Sequence, residues 1–183
     1  MKQILVVVDM QNDFIDGALG TKEAVQIVPC VIDKIKNYKE QGNPVYFTKD
    51  THEEDYLDTQ EGRNLPVLHC IRNTKGWELH PQIQALKEEL QNTVDQPIVF
   101  EKGIFGSEAL AQTLRKSIID TSQTEIELVG LCTDICVLSN AILLKTYMPE
   151  VTIKVDEACC AGVTPDSHKN ALEAMKMCQI QIV

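Results

Sequence analysis

The chain has 183 residues, of which 44% are hydrophobic and 24% charged, and we expect one globular domain over residues 1–183. Seventeen Lys and Arg residues against 27 Asp and Glu residues give a formal net charge of −10. This charge argues against a basic face that binds nucleic acid. No apolar run reaches the roughly 18 residues that a membrane-spanning helix needs, so we expect the protein to bind neither nucleic acid nor a membrane.

Short apolar segments recur along the chain and predict about six β-strands. Residues 4–8 are apolar on both faces, which is typical of a central parallel strand covered by helices on both sides. The other predicted strands are residues 44–48, 97–100, 126–129, 151–155 and 179–183.

Patterns with helical spacing separate these strands. Each predicted helix starts at a proline or at a residue that can cap it: Pro29, Pro81, Ser107, Thr133 and Thr164. This alternation predicts a three-layer αβα fold of the α/β class, with a doubly wound, mainly parallel sheet, Rossmann-like topology and right-handed crossovers. Residues 51–77 form the one long irregular stretch, and loops of that length usually have a function.

Seven cysteines are scattered along the chain without a Cys-x-x-Cys pair, which argues against a zinc ribbon or a thioredoxin-type motif. The first apolar run also lacks the small-residue cleavage site of a signal peptide. We therefore expect reduced thiols in a cytoplasmic protein.

Polar side chains follow four of the predicted strands. Asp9 follows the first strand, Asp50 the second, Lys102 the third, and Cys136 lies a few residues beyond the fourth. Because ligands bind at the carboxyl ends of the strands in open α/β sheets, we expect these four side chains to form one site.

Cys136 is the candidate nucleophile in this group. If Thr133 caps the following helix, Cys136 lies in the first turn, where free N–H groups and the helix dipole favour a thiolate. A nearby Lys102 would lower the thiol pKa further, and Asp9 could act as a general base that later protonates the leaving group. The alternative is a buried structural cysteine, since most free cysteines are buried.

Two motifs carry a resemblance to a known family. Residues 9–14 (DMQNDF) and 130–137 (GLCTDICV), with Lys102 between them, resemble the signatures of the isochorismatase-like cysteine hydrolases. That superfamily includes nicotinamidases, carbamoylsarcosine amidase and isochorismatase. The similarity runs in order along the chain, and since family members are mostly oligomers it implies a homo-oligomer.

The resemblance also implies roles for individual residues. Asp9, Lys102 and Cys136 would form the catalytic triad, and the backbone N–H groups of Cys132 and Cys136 would form the oxyanion hole. The peptide bond before Cys132 would be cis. The implied reaction is hydrolysis of a small carboxamide through a thioester intermediate.

A second group of candidate residues could bind a metal ion. Asp50 and His52, two positions apart in an extended segment, point the same way, and His69 can reach them from the loop. One carboxylate and two imidazoles suit zinc, iron or manganese, whereas solvated loop histidines are the alternative. The same order resembles the metal site of nicotinamidases, in which Glu61 matches a further acidic ligand and the metal holds the substrate's ring nitrogen.

The chain departs from the nicotinamidase pattern at one place. Nicotinamidases usually carry a Trp or Phe shortly before the histidine that matches His69, but residues 64–68 (NLPVL) contain no aromatic. Phe14 keeps the opposite stacking position. The resemblance thus implies that the protein binds a divalent metal, with zinc preferred over iron or manganese, and no organic cofactor. It also implies a small-molecule amide as the substrate, whose identity stays open.

Two alternatives remain open from the sequence. One is a metal-free hydrolase of the isochorismatase type with another specificity, because those members generally lack the metal site. The other is a non-catalytic, receiver-like signalling module, since such modules also place acids and a lysine at strand ends.

Overall fold

A parallel β-sheet forms the centre of the computed structural model, which describes residues 2–95 and 98–183. Within those residues the sheet has six strands in the order β3-β2-β1-β4-β5-β6, and every strand pairing is parallel. The strands are β1 (Lys2–Val8), β2 (Val45–Asp50), β3 (Val99–Lys102), β4 (Thr124–Leu131), β5 (Thr152–Ala161) and β6 (Gln181–Ile182). The predicted parallel, doubly wound sheet is confirmed.

Helices cover both faces of this sheet. They are α1 (Asn12–Ile15), α2 (Lys22–Glu40), α3 (Gln60–Asn64), α4 (Pro81–Gln91), α5 (Glu108–Ser117), α6 (Leu138–Tyr147) and α7 (Pro165–Met177). Helix α2 packs on the central strands and on α4, while α6 packs on β5 and on both α5 and α7. Because the strand order reverses between β1 and β4, right-handed crossovers place α2 and α4 on one face and the last three helices on the other.

The core lies on both sides of β1, as its apolar sequence predicts. Residues 4–8 of this strand are each at most 1% exposed. The strand lies between β2 and β4, and its side chains are buried on both faces of the sheet. This position puts the end of β1 at the point where the strand order reverses.

The predicted start of the first long helix is wrong. Helix α2 begins seven residues before Pro29, because Thr21 caps it by accepting a hydrogen bond from the backbone N–H of Ala24 at 3.0 Å. Ala24 and Ile27 are buried, so the apolar face of the helix extends upstream of the proline. Pro29 therefore lies inside the helix.

Other predicted element boundaries agree more closely with the structure. Helices α4, α5 and α7 start where Pro81, Ser107 and Thr164 predict. Strand β5 continues six residues beyond the predicted end, through a register shift opposite β4. Pro97, the predicted start of the third strand, lies outside the described residues.

The cysteines are not all free thiols, which corrects the expectation from the sequence. Cys30 on α2 and Cys159 on β5 form a disulfide, with their Cα atoms 5.5 Å apart. The packing of α2 on β5 brings together two residues that are 129 positions apart, and their spacing in the sequence gives no sign of it.

The long stretch at residues 51–77 contains short helical turns. A 3₁₀ turn at Tyr56–Asp58 and helix α3 interrupt it, and the Tyr56 side chain is buried beneath them. Among the described residues, no helix combines the length and the apolar character that crossing a bilayer requires.

Candidate active site

The structure brings the four predicted strand-end residues together around the ammonium group of Lys102. Lys102 Nζ lies 2.7 Å from Asp9 Oδ2 and 3.4 Å from Asp50 Oδ1. The same nitrogen donates a hydrogen bond to Cys136 Sγ at 3.5 Å. All four side chains are buried. The lysine thus contacts the candidate nucleophile, the candidate base and one candidate metal ligand at once.

Local backbone structure sets the position of Asp9. Asp9 follows β1 in the left-handed region, at φ 46°, and the hydroxyl of Thr48 on β2 donates a hydrogen bond to Asp9 Oδ1 at 2.6 Å. Gly130 on β4 has φ 118°, and a Cβ atom there would lie 2.1 Å from the carbonyl oxygen of Val8. Only glycine lets β4 pass this close to β1, which brings the turn after β4 beside Asp9.

The turn that carries Cys136 differs by one residue from the prediction. Cys132, not Thr133, is the N-cap, and residues Thr133–Val137 form a π-helical turn before α6. The backbone N–H groups of Ile135 and Val137 both donate to the Cys132 carbonyl, at 3.1 and 3.0 Å. A π turn contains an extra residue per turn, which the apolar pattern of so short a segment does not reveal.

Cys136 nevertheless lies in the first turn of this helical segment, as predicted. The peptide bond between Leu131 and Cys132 is cis, as the family resemblance implies. Sequence reasoning missed Asn140, a buried residue one turn after Cys136. Its side chain donates to the Cys136 carbonyl at 2.8 Å and accepts from the backbone N–H of Ser107 at 2.9 Å. An asparagine at a buried helical position was the available signal.

Burial shifts the pKa values of the Asp9 carboxyl, the Lys102 ammonium group and the Cys136 thiol. Burial raises the pKa of the Asp9 carboxyl, and Asp50 adds to this rise while Lys102 opposes it. Burial lowers the pKa of Lys102, but the negative groups around it outweigh this and raise it, so the ammonium group stays charged.

Burial also raises the pKa of the Cys136 thiol well above its usual value, and Asp9 adds to the rise. Lys102 acts in the predicted direction by lowering this pKa, but burial outweighs it. The site therefore holds a neutral thiol. The raised pKa of Asp9 makes its carboxylate a better acceptor for the thiol proton, whereas the raised thiol pKa makes the sulfur a poorer donor.

Asp50, His52 and His69 form a second group with the geometry of a metal site. Asp50 Oδ2 lies 3.1 Å from His52 Nε2 and 3.5 Å from His69 Nε2, and the candidate ligand atoms are all within 4.8 Å of one another. His69 Nδ1 contacts the Val67 carbonyl at 2.8 Å, which leaves Nε2 free to act as a ligand. One carboxylate and two imidazoles fit a divalent transition metal. Glu61 Oε1 is 3.8 Å from His52 Nε2, at the edge of the group.

Two other residues of the 9–14 motif hold the metal-ligating segments in place. The Gln11 side chain accepts from the Asp50 backbone N–H at 2.7 Å and donates to the Asp50 carbonyl at 2.8 Å. Asp13 Oδ2 accepts from the backbone N–H of Cys70, next to His69, at 2.8 Å. The motif therefore supplies Asp9 to one group and supports the other, a role that the sequence did not reveal.

One cavity of about 280 Å³ reaches both groups. Cys136 lies in the same lining as Asp50 and His69, and Phe14 stands 5.5 Å from the His69 ring. Phe105, which is 41% exposed, adds an aromatic side chain that sequence reasoning missed. The full lining is Phe14, Leu19, Thr21, Ala24, Asp50, Glu61, Leu65, His69, Phe105, Leu131, Cys132, Ile135, Cys136, Gly162 and Val163.

Comparisons with known proteins show what the whole chain is similar to. Residues 3–183 match the family model described as Isochorismatase domain. The nicotinamidase/pyrazinamidase of Mycobacterium tuberculosis is 26% identical over 195 residues, which cover 98% of this chain and 97% of that protein.

Two solved structures resemble the whole fold. Nicotinamidase/pyrazinamidase PncA from Bacillus subtilis superposes with a TM-score of 0.84 at 30% identity, covering 100% of both chains. The pyrazinamidase of Pyrococcus horikoshii in complex with zinc superposes with a TM-score of 0.78 at 28% identity, covering 100% of this chain and 99% of that chain.

Proposed function

The chain belongs to the isochorismatase family and is a nicotinamidase-like amidohydrolase, and from this premise we propose that it cleaves a small neutral carboxamide with a Cys136–Asp9–Lys102 triad. One observation carries the proposal. A single buried ammonium nitrogen lies 2.7 Å from the Asp9 carboxylate and 3.5 Å from the sulfur of Cys136, which lines the cavity. The signalling-module alternative is not retained, because the chain is a member of a hydrolase family.

In the proposed first half-reaction, Asp9 takes the proton of the Cys136 thiol and the sulfur attacks the amide carbonyl carbon. Lys102 keeps its charge throughout and stabilises the negative charge as it moves between oxygen and sulfur. The tetrahedral intermediate collapses when its C–N bond breaks, and Asp9 returns its proton to the departing nitrogen. Ammonia or a small amine leaves, and the acyl group stays on sulfur as a thioester.

In the second half-reaction, Asp9 removes a proton from water, and the resulting hydroxide attacks the thioester carbonyl. The C–S bond breaks, the carboxylic acid leaves, and the proton on Asp9 returns to sulfur. The backbone N–H groups of Cys132 and Cys136 would hold the oxyanion in both halves. Loss of one such donor costs roughly a hundredfold to a thousandfold in rate in comparable enzymes.

Asp50, His52 and His69 would hold a divalent metal, most readily zinc, next to the triad, with Glu61 close enough to assist. Bound there, the ion would supply a Lewis-acid contact for a donor atom of the substrate. The candidate ligand atoms of the three residues lie within 4.8 Å of one another, and the Nδ1 contact of His69 leaves its Nε2 as the ring nitrogen that faces them.

The cavity favours a neutral substrate. None of the described residues that line it is Lys or Arg, whereas Asp50 and Glu61 contribute acidic groups. A substrate carboxylate would therefore be buried beside acidic groups, and Lys102, the cation that contacts Asp50 and Cys136, is already paired with Asp9, which makes binding of a second anion unfavourable. Phe14 offers one aromatic wall, and Phe105 offers a second in place of the aromatic missing before His69.

A panel of amides tests the proposed function. Purified protein should release ammonia from neutral carboxamides such as nicotinamide and pyrazinamide faster than from carbamoyl and ureido compounds that carry a carboxylate. Cys136→Ala should release none, whereas Cys132→Ala, which keeps the backbone N–H, should retain most of the activity. Measurable turnover by Cys136→Ala would refute the triad.

A metal-free hydrolase of the isochorismatase type is the competing proposal. Protein purified without added metal should contain a divalent transition metal by elemental analysis. A metal-free preparation with full activity, unaffected by His52→Ala, would favour the competing proposal.

We also propose, from family resemblance, that the chain acts as one domain within a cytoplasmic homo-oligomer, which sedimentation and cell fractionation would test.

A further inference from the structure

A hydrogen bond joins the turn that carries the nucleophile to helix α7. His168 Nδ1, on the first turns of α7, lies 2.8 Å from Thr133 Oγ1. Thr133 is fully buried and stands three residues before Cys136, at the start of the π turn. The mechanism above uses neither side chain.

A second link lies one residue further along the same turn. The carboxylate of Asp134 accepts the backbone N–H of Val163, at 3.1 Å to Oδ1 and 3.2 Å to Oδ2. Val163 immediately precedes the residue that caps α7. Two consecutive residues of the nucleophile turn are thus bonded to α7 and to the segment that precedes it.

His168 also supports one wall of the cavity. Gly162 lines the cavity, and a Cβ atom on Gly162 would lie 2.9 Å from the Cβ atom of His168. The histidine therefore packs directly behind this wall, although it is not itself part of the lining. The cavity wall and the nucleophile turn meet at the same side chain.

The chemistry of the pair suits a fixed, uncharged contact. His168 is half-buried, and burial lowers its pKa while Glu157 and Asp134 oppose the change. A neutral imidazole can accept a hydrogen bond from the threonine hydroxyl at Nδ1 and leave Nε2 to solvent. A buried hydroxyl without this partner would lose a hydrogen bond that nothing else in the described residues is seen to replace.

We propose that His168 is a positioning residue for the reaction, acting through the Thr133 hydroxyl to hold the turn on which Cys136 presents its sulfur and its backbone N–H. The inference rests on the proposed function, since it assigns His168 a part in the same site. A displacement of about 1 Å in a reacting group can cost roughly a hundredfold in rate. Loss of the Thr133–His168 bond should therefore lower kcat more than it changes KM.

Paired variants test the proposal. Thr133→Val removes the hydroxyl at constant shape, and His168→Phe removes the ring nitrogen. Each should lower kcat by about tenfold to a hundredfold on an amide that the wild type cleaves, with KM within about twofold. Thr133→Ser keeps the hydroxyl, and His168→Asn keeps a polar atom near the position of Nδ1, so these two variants should have kcat values close to that of the wild type. The double variant should be no slower than the slower single variant.

A matched control separates positioning from stability. Ser167→Ala removes the Ser167 side chain from the capping box of α7, next to His168, and should lower the melting temperature without lowering kcat. The proposal is overturned if Thr133→Val and His168→Phe lower the melting temperature alone, or if their effects on kcat are additive.

Thiol alkylation keeps this test independent of the proposed function. The rate at which iodoacetamide modifies Cys136 can be followed by peptide mass analysis in a protein that cleaves no amide at all. Thr133→Val and His168→Phe should change this rate by at least about threefold, whereas Ser167→Ala should not change it. Equal alkylation rates in all variants would overturn the positioning role even if the wild type were an amidase.

Discussion

Substitution of Lys102 by Met removes the charge at the centre of the site while nearly preserving the length of the side chain. Lys102 Nζ lies 2.7 Å from Asp9 Oδ2, and the two side chains are 3% and 0% exposed. At an effective dielectric constant of about 20, two unit charges at this separation attract with a gross energy of about 6 kcal/mol. Removal of one partner from a buried ion pair typically lowers the free energy of unfolding by about 3–5 kcal/mol.

The same substitution should move the pH dependence of the reaction. Burial already raises the pKa of Asp9, and Lys102 is the largest influence that opposes this rise. Losing about 3 kcal/mol of that stabilisation would raise the Asp9 pKa by a further two units or so. Asp9 accepts a proton only as a carboxylate, so the rate falls as pH drops through its pKa. In Lys102→Met the acid limb of kcat/KM should therefore lie about two pH units higher.

The sign of the stability change follows from the same shift. In the variant the folded pKa of Asp9 is raised above the unfolded value, so the destabilisation is greatest at neutral and higher pH. It should shrink as the pH falls through the raised folded pKa toward about 4, the unfolded value, because a protonated Asp9 no longer needs a cation. Urea unfolding at pH 7 and at pH 5 should show the larger difference from wild type at pH 7.

Ammonia release measured across pH is the assay for this prediction. Thr48→Val is the matched control, because it removes the 2.6 Å hydrogen bond to Asp9 Oδ1 but leaves the cation in place. In Thr48→Val the acid limb of kcat/KM should shift to higher pH by less than about one pH unit, since such a hydrogen bond contributes roughly 1 kcal/mol. An acid limb in Lys102→Met that coincides with that of the wild type would refute the assignment of Asp9 as the base.

Three further predictions concern the metal group, the sheet and the cavity wall. His52→Ala should bind at least about tenfold less divalent metal by elemental analysis after dialysis, whereas His80→Ala, outside the group, should keep its metal. Gly130→Ala should lower the free energy of unfolding, measured in urea, by about 3 kcal/mol, because its Cβ atom would lie 2.1 Å from the carbonyl oxygen of Val8. In the control Gly42→Ala, where no atom lies within 4 Å of the new Cβ, the free energy of unfolding should fall by only about 1 kcal/mol. Phe105→Ala should raise KM for aromatic amides by about tenfold and leave kcat within about twofold; an unchanged KM would exclude contact with the substrate.

The arrangement of the strand ends is the part of the site that the sequence predicts best. Strands of a parallel sheet end at one edge, so an apolar run followed by Asp9, Asp50 or Lys102 is enough to place these side chains together. The Asp50-x-His52 spacing is equally informative, because alternate residues of an extended segment point the same way. Both patterns are local in the sequence, and formation of the parallel sheet is enough to bring the residues that carry them together.

Features that depend on tertiary packing were not predictable. The apolar face upstream of Pro29 is recognisable only once α2 is seen to pack on β5, and the disulfide between Cys30 and Cys159 follows from the same packing. The raised pKa of Cys136 depends on how deeply the thiol is buried, which neither the helix dipole nor a neighbouring lysine reveals. Phe105 reaches the cavity from a loop after β3, far in sequence from the position where an aromatic was expected.

Mass analysis of the protein quenched in acid during turnover detects the proposed thioester itself. The peptide containing Cys136 should gain the mass of the substrate's acyl group, with ammonia lost, and the adduct should disappear once the amide is exhausted. An acyl group found on another residue during full-rate turnover, with Cys136 unmodified, would show that Cys136 is not the nucleophile.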